Sequence, residues 1–401
     1  MEITDITQCE FTLKTIINNI NAIFTNENFN FSIVEDSLLK KDPSHINDIL
    51  NKFIDLLTFH SESSYTDFIR IIENIENFLI HIDPNTFDKK TFLYEKIGDI
   101  YKDKKEYYLA YTYYIKAFEN YYECFDKNKF LRLLCKISYC CIMLNKYKES
   151  LHFTNPARYY IESRDIPYKL AFNILFNNAL AYKKLNLLDQ SLKEIEYIEK
   201  SLLPENLVDI RDLTVLKANC LKEKGQYSEA IELYLYLLSI LPDSEAEVKL
   251  MAIINLLEVY STIRDAENIK KCLDDYSYIV DQYKPLSIDK YSAENFHGLG
   301  VAYKCIKEHD LAIKYFNDAI NEAKLYRNNI IINDCLDNLF DIYSNPDNNL
   351  DINVLKYKLL ELLSISTISI DTSILLKFIN YYNEQDNPGE VRSLLRLMLC
   401  R

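Results

Sequence analysis

The sequence is poor in the residues that interrupt helices. Gly occurs 5 times and Pro 9 times in 401 residues, and Trp is absent. β-Sandwiches use Gly and Pro in their many turns, and nucleotide-binding α/β enzymes use Gly-rich loops, so the composition disfavours both classes. Hydrophobic residues make up 48% of the chain, which argues against global disorder. These features together predict an all-α fold of long helices joined by short polar turns.

Other features that the sequence lacks argue against several classes of function. The formal net charge is −14, the wrong sign for a dedicated nucleic-acid binder, so we expect no direct nucleic-acid contact. No apolar run approaches the roughly 18 residues of a membrane span, and the acidic N-terminus has no signal-peptide core, so we expect a cytoplasmic protein without membrane contact. Phosphate-binding, nucleophile-elbow and metalloprotease motifs are missing, and the six His show no metal spacing. We therefore expect no enzyme, no catalytic residue, no metal and no cofactor.

The ten Cys contain no CxxC pair, so neither a disulfide framework nor a zinc site is indicated. Several lie on predicted apolar helix faces, where a free thiol packs as a small hydrophobe. These are Cys135, Cys140, Cys220, Cys272 and Cys305.

Residues 1–85 form a predicted N-terminal helical bundle. Apolar residues recur at helical spacing in 12–24, 46–59 and 65–82, and Pro84 ends the last of these helices. The segment is acidic and contains no Gly. A DNA-binding helix-turn-helix needs a tight turn and a basic recognition helix, so DNA binding through this end is not expected.

Residues 86–401 contain a repeated pattern, which is clearest in 217–243. There, Ala218 and Ala230 are small, Tyr227 and Tyr234 are aromatic, and Gly225 lies at the predicted turn. The same order of small and aromatic residues recurs in 92–122 and 295–320. This order is typical of a tetratricopeptide repeat, in which two antiparallel helices touch at small residues. HEAT-like repeats have a similar period but do not explain the order.

Weaker copies fill the intervals between the clear ones. The small position of the second helix then recurs after 40, 41, 39, 39 and 43 residues. Its members are Ala110, Ser150, Ser191, Ala230, Ile269 and Ala312, and two further units follow them. Because one helix pair cannot bury its own apolar face, the pairs must stack. We predict a right-handed superhelical solenoid of about eight pairs, with the first helices lining a concave groove.

A helical bundle followed by long tetratricopeptide repeats resembles the peptide-pheromone receptors of Gram-positive bacteria (Firmicutes), the Rap–Rgg–NprR–PlcR group. The resemblance implies a quorum-sensing receptor that binds a short linear oligopeptide in its groove. It also implies that the receptor thereby modulates a regulatory partner protein, as in signal transduction or transcription regulation. Rap phosphatases position water with a Gln on the N-terminal bundle, but Gln8 is the only Gln before residue 90. Phosphatase activity is therefore not expected, and a homodimer stays open.

In that family, asparagines on the first helices hold the peptide backbone, which an amide can do because it offers donors and an acceptor together. Asn177, Asn255 and Asn338 each lie two residues before the small position of a first helix, and Asn219 lies near it in another repeat. The full set of expected peptide contacts is Asn177, Asn219, Lys222, Asn255, His297, Asn338 and Asp341.

Charged residues also recur on the first helices. Lys102, Lys183, Lys222 and Lys304 follow the aromatic position in four repeats and could follow a peptide carboxylate or form a solvated rim. Asp334, Asp337 and Asp341 form one acidic stripe, which would suit a basic peptide end.

Two interpretations remain open besides this receptor: a ligand-independent protein–protein interaction scaffold, or a chaperone adaptor. We further expect Glu95 and Asp99 to be surface charges without an acid–base role.

Overall fold

A computed structural model describes residues 72, 87–119, 121, 126–163, 166–204, 206–282 and 292–399. The chain divides into two compact units, Met1–Pro204 and Glu205–Arg401. The secondary structure of the described residues is helical throughout, with no strand among them. The predicted N-terminal bundle and its boundary at residue 85 lie outside the described residues, apart from Ile72.

The first unit contains helices α1 to α7. Their bounds are α1 Phe87–Asp103, α2 Tyr107–Glu119, α3 Lys127–Met143, α4 Tyr147–Thr154, α5 Arg158–Glu162, α6 Tyr168–Lys184 and α7 Leu188–Ser201. Between α4 and α5 the chain forms one 3₁₀ turn, Asn155–Ala157. Pro156 accounts for this interruption, because it has no N–H for an α-helical bond.

The second unit contains helices α8 to α17. Their bounds are α8 Leu207–Glu223, α9 Tyr227–Ile240, α10 Ala246–Ile263, α11 Ala266–Gln282, α12 Ser292–Cys305, α13 His309–Tyr326, α14 Asn329–Tyr343, α15 Ile352–Ser364, α16 Thr372–Glu384 and α17 Pro388–Leu399. Short 3₁₀ turns precede α10 and follow α14.

The small position of the second helix is where the two helices of a pair meet, as predicted. All six residues listed above for this position are fully buried, at 0% exposure. Where the residue is Ser, its hydroxyl bonds to the first helix: Ser150 Oγ lies 2.7 Å from Ser138 Oγ, and Ser191 Oγ donates to the Ala179 carbonyl at 2.7 Å. At the Ala and Ser members the helices can approach closely because these side chains are small, and the hydroxyls stay satisfied. Ile269 is the one large residue at this position.

The turn inside each clear pair contains one residue in the left-handed region. Gly225 has φ +77°, and Asn145 and Asn186 have φ near +60° at the corresponding turns. Lys105 and Lys307 adopt the same conformation at φ +63° and +65°. Gly and Asn favour this region, whereas Lys pays a steric cost there. The turn geometry thus recurs even where the sequence carries no Gly.

The cysteine prediction is correct for four residues and wrong for one. Cys140, Cys220 and Cys272 are buried and Cys135 is partly buried, but Cys305 is exposed. Cys305 is the last residue of α12, and its Sγ lies 3.7 Å from the Ser261 carbonyl oxygen on α10. Burial raises the pKa of the Cys140 thiol to about 12.

Candidate functional site

In two pairs, the residue after the small position of the first helix accepts a hydrogen bond from the second helix. Tyr234 on α9 donates its hydroxyl to Asn219 Oδ1 at 2.6 Å, and Tyr114 on α2 does the same to Asp99 Oδ1 at 2.8 Å. Both tyrosine rings are fully buried, and burial is the main cause of their raised pKa values. Asn219 Nδ2 has no hydrogen-bond partner among the described residues, so its two N–H groups can still donate to a ligand.

A lysine connects the first helices of neighbouring pairs in the second unit. Lys222 on α8 donates to Asn255 Oδ1 at 2.8 Å and to Glu258 Oε2 at 2.5 Å, both on α10. The Lys222 side chain is only 15% exposed. The amide of Asn255 also donates to the Met251 carbonyl one turn earlier, at 2.9 Å. The predicted site residues Lys222 and Asn255 are therefore in direct contact.

The same arrangement recurs two pairs further along the chain, between α12 and α14. Lys304 donates to Asn338 Oδ1 at 3.0 Å and to Asp341 Oδ2 at 2.7 Å. Asn338 Nδ2 donates to the Asp334 carbonyl at 2.8 Å. In both places an Asn is followed three residues later by an acid, so one lysine reaches both from the preceding first helix. This spacing was visible in the sequence, although Glu258 was not among the predicted residues.

The two asparagines still have hydrogen-bonding capacity. An Asn amide has two N–H donors and two lone pairs. Asn255 and Asn338 each use one N–H and one lone pair within the described part of the chain. Each amide can therefore still donate one bond and accept one, which is what a peptide C=O and N–H require.

His297 on α12 lies between carboxylates of the adjacent first helices. Its Nε2 is buried and has no hydrogen-bond partner among the described residues, and its ring lies 5.9 Å from that of Phe316. Burial lowers its pKa, while the charges of Asp334, Glu258 and Glu294 partly oppose this effect. Burial therefore favours the neutral imidazole, and Nε2 is a buried polar atom without a hydrogen-bond partner among the described residues.

Asn177 differs from the other predicted residues, because it belongs to the first unit and is 6% exposed. Its Nδ2 donates to the Cys135 carbonyl on α3 at 3.3 Å. Asn177 therefore joins two first helices, and the residue is almost fully buried. Its predicted ligand role stays a prediction.

The expectation that Glu95 and Asp99 are surface charges is wrong. Lys136 on α3 lies 2.7 Å from Glu95 Oε1 and 2.6 Å from Asp99 Oδ1, and both carboxylates are largely shielded, at 19% and 23% exposure. Burial lowers the pKa of Lys136, but the two carboxylates outweigh that effect and raise it overall. The sequence pattern did not predict this bridge because its members are 37 and 41 residues apart.

The acidic stripe on α14 is partly neutralised by the next first helix. Lys377 on α16 lies 2.5 Å from Asp337 Oδ1 and 3.8 Å from Asp341 Oδ1. Lys377 occupies the same place in its pair as Lys136, and each contacts two acids one turn apart on the preceding first helix. These bridges therefore help to hold one helix pair against the next.

Other kinds of site are absent from the described residues. Within these, no group of three or more His, Cys, Asp or Glu residues is placed to hold a metal ion. No helix in the described part of the chain combines the length and apolar character needed to cross a bilayer.

The fold and these contacts define an all-α protein of tetratricopeptide type, built from stacked antiparallel helix pairs. No family model and no curated protein matches the sequence. Among solved structures, the apo quorum sensor NprR from B. thuringiensis is similar with a TM-score of 0.58 and 14% identity, over 88% of this chain and 99% of that one.

Two further structures show the same fold. Apo RapI has a TM-score of 0.52 and 14% identity, over 77% of this chain and 96% of its own. NprR in complex with its cognate peptide NprX has a TM-score of 0.50 and 16% identity, over 87% and 99%. The chain thus has a tetratricopeptide fold resembling that of NprR- and Rap-type proteins.

Proposed function

We propose that the chain is a regulatory receptor that binds a short linear peptide on the first helices of its second unit. We call this surface the first-helix face. Its members are Asn219, Lys222, Asn255, Glu258, His297, Lys304, Asn338 and Asp341. The proposal rests on the amides of Asn219, Asn255 and Asn338, on α8, α10 and α14. Each amide keeps at least one N–H group without a hydrogen-bond partner among the described residues. An extended peptide exposes N–H and C=O groups along its length, and amides on successive helices suit that pattern.

The peptide would act by shifting the equilibrium between different arrangements of the stacked helices. A ligand that binds one arrangement of the stacked helices better than another shifts the equilibrium towards it. The lysine bridges join neighbouring first helices, so a peptide lying across them would favour one relative placement of α8, α10, α12 and α14. A regulatory partner protein that contacts these helices would then be bound more tightly or more weakly. The similarity to NprR with its cognate peptide supports this mode of action as a hypothesis.

A ligand-independent scaffold is the second candidate. Lys222 and Lys304 are already paired with acids of the chain itself, which favours a rigid stack whose polar residues serve packing. The same pairing speaks against a carboxylate-clamp chaperone adaptor, because such a clamp needs unpaired cations.

The test uses a library of short synthetic peptides with isothermal titration calorimetry and thermal unfolding. We expect at least one peptide to bind and raise the Tm. Replacing Asn255 and Asn338 together by Ala should weaken its binding at least about tenfold, roughly the loss of one hydrogen bond per amide. The matched control is Asn321→Ala, because Asn321 is an exposed asparagine on α13, outside the face. Unaltered melting across the whole library, or unaltered affinity in the double variant, would leave the scaffold as the better account.

A further inference from the structure

The second helices of the last two pairs, α15 and α17, line a cleft that the peptide proposal does not use. The cleft has a volume of about 600 Å³ and lies between α15 and α17. One residue of α15 and five of α17 line it: Leu360, Gly389, Arg392, Ser393, Arg396 and Leu397. The lining is therefore cationic on one helix and aliphatic on both.

The two arginines have no counter-charge in the described part of the chain. Arg392 and Arg396 are four residues apart, so both guanidinium groups lie on one side of α17, where like charges repel by a few tenths of a kcal/mol. The one acid of α17, Glu390, is instead paired with Lys356 at 2.7 Å. By contrast, Arg211 in the same unit bonds to two carboxylates, those of Asp212 and Glu245.

We propose that this cleft binds the terminal carboxylate of a peptide or protein chain whose last side chain is aliphatic. Guanidinium groups hold carboxylates through paired, charge-assisted hydrogen bonds, and the Ser393 hydroxyl, which also lines the cleft, adds a further donor. Leu360 and Leu397 would cover the aliphatic side chain. An inorganic oxyanion has no apolar part and would leave both leucines uncovered, so the lining favours a carboxylate on an aliphatic residue.

Gly389 leaves the cleft open at the start of α17. A Cβ at this position would meet only Asn387 Oδ1, at 3.7 Å. A Cβ can therefore be added there without a clash, and Gly389 itself lines the cleft. This offers a way to fill the cleft while leaving the charges of Arg392 and Arg396 unaltered.

The test measures fluorescence anisotropy with a labelled hexapeptide, Gly-Gly-Ser-Gly-Ala-Leu, made as the free acid and as the amide. We expect the full chain to bind the acid at least about tenfold more tightly than the amide. The double variant Arg392→Gln with Arg396→Gln should abolish this difference. Its matched control is Arg264→Gln with Arg327→Gln, which removes the same charge from two exposed arginines of the same unit outside the cleft.

A second variant separates filling of the cleft from loss of charge. Gly389→Leu should weaken binding of the acid at least about tenfold, although every charge is retained. Equal affinity for acid and amide, or unaltered binding of the acid by the arginine double variant, would overturn the proposal. Displacement by inorganic phosphate as effective as by the unlabelled acid peptide, at equal ionic strength, would also overturn it, because the aliphatic group would then contribute nothing. None of these results depends on the first-helix face, which the library experiment tests separately.

Discussion

Gly300 on α12 lies directly against the ring of Phe316 on α13. A Cβ at Gly300 would stand 2.7 Å from Phe316 Cδ1, and Phe316 is completely buried. The same relationship joins Gly98 on α1 to Tyr114 on α2, where a Cβ would lie 2.5 Å from Cε1. Glycine is thus required at these two crossings because the aromatic ring occupies the space of a side chain.

We expect Gly300→Ala to destabilise the protein. Overpacking a closed core costs about 1–3 kcal/mol, and the rigid buried ring places this case near the upper end. The change also gains about 1 kcal/mol of helix propensity, so the free energy of unfolding should fall by about 2 kcal/mol, measured by urea unfolding. Gly389→Ala is the control, because its Cβ has room; its stability should stay equal or rise. Equal stability of Gly300→Ala and the parent protein would contradict the packing argument.

Lys136→Met should also be destabilising, for an electrostatic reason. The change leaves Glu95 and Asp99 shielded from water beside the Tyr114 hydroxyl without their shared cation. Removing one partner of a buried bridge costs about 3–5 kcal/mol, but Lys136 is 28% exposed, so solvent screening reduces our expectation to about 1–3 kcal/mol.

A double-mutant cycle checks that the effect comes from the bridge. Glu95→Gln in the Lys136→Met background removes one of the two carboxylates, so it should recover part of the lost stability. Simple addition of the two single effects would show that Lys136 stabilises the fold through packing of its aliphatic stem alone.

His297 should make stability depend on pH. Burial is the main cause that holds its folded-state pKa below the ordinary 6.5. As the pH falls below 6.5, the unfolded chain takes up a proton at this residue before the folded chain does. The stability contributed by neutral His297 is therefore complete above 6.5 and declines on acidification until the folded-state pKa is reached.

Urea unfolding at pH 7.5 and 5.5 tests this sign with His297→Gln as the comparison. Gln cannot titrate, so the variant should lose less stability between the two pH values than the parent chain. The neighbouring carboxylates of Asp334, Glu258 and Glu294 are common to both chains, and their contribution largely cancels in the difference. An equal loss in both proteins would mean that His297 is not the titrating group.

Much of the fold could be predicted from local patterns. Small residues such as Ala230 and Ser191 recur at one interval, and close contact between two helices requires small residues at the crossing, so the pattern indicates the pairing directly. The turn at Gly225 could be predicted as well, since Gly marks a left-handed residue. The turns at Lys105 and Lys307 could not, because nothing in a lysine's chemistry indicates φ above zero.

The candidate site was only partly predictable. Four of the predicted site residues lie in two clusters. Lys222 contacts Asn255 directly, and Lys304 contacts both Asn338 and Asp341. The burial of Asn177 was not predictable, because it depends on how closely α6 approaches α3. The exposure of Cys305 was likewise not predictable from its place in the apolar pattern.

The small and aromatic residues are enough to predict antiparallel helix pairs and the contacts within each pair, because these positions are separated by a short, nearly constant stretch of chain. Which polar residues meet between pairs is seen only in the folded chain. Those bridges join side chains 33 to 41 residues apart, and their formation depends on how one pair is placed against the next. A repeat pattern specifies that pairs stack, whereas their relative placement follows from the packing of all the side chains between them.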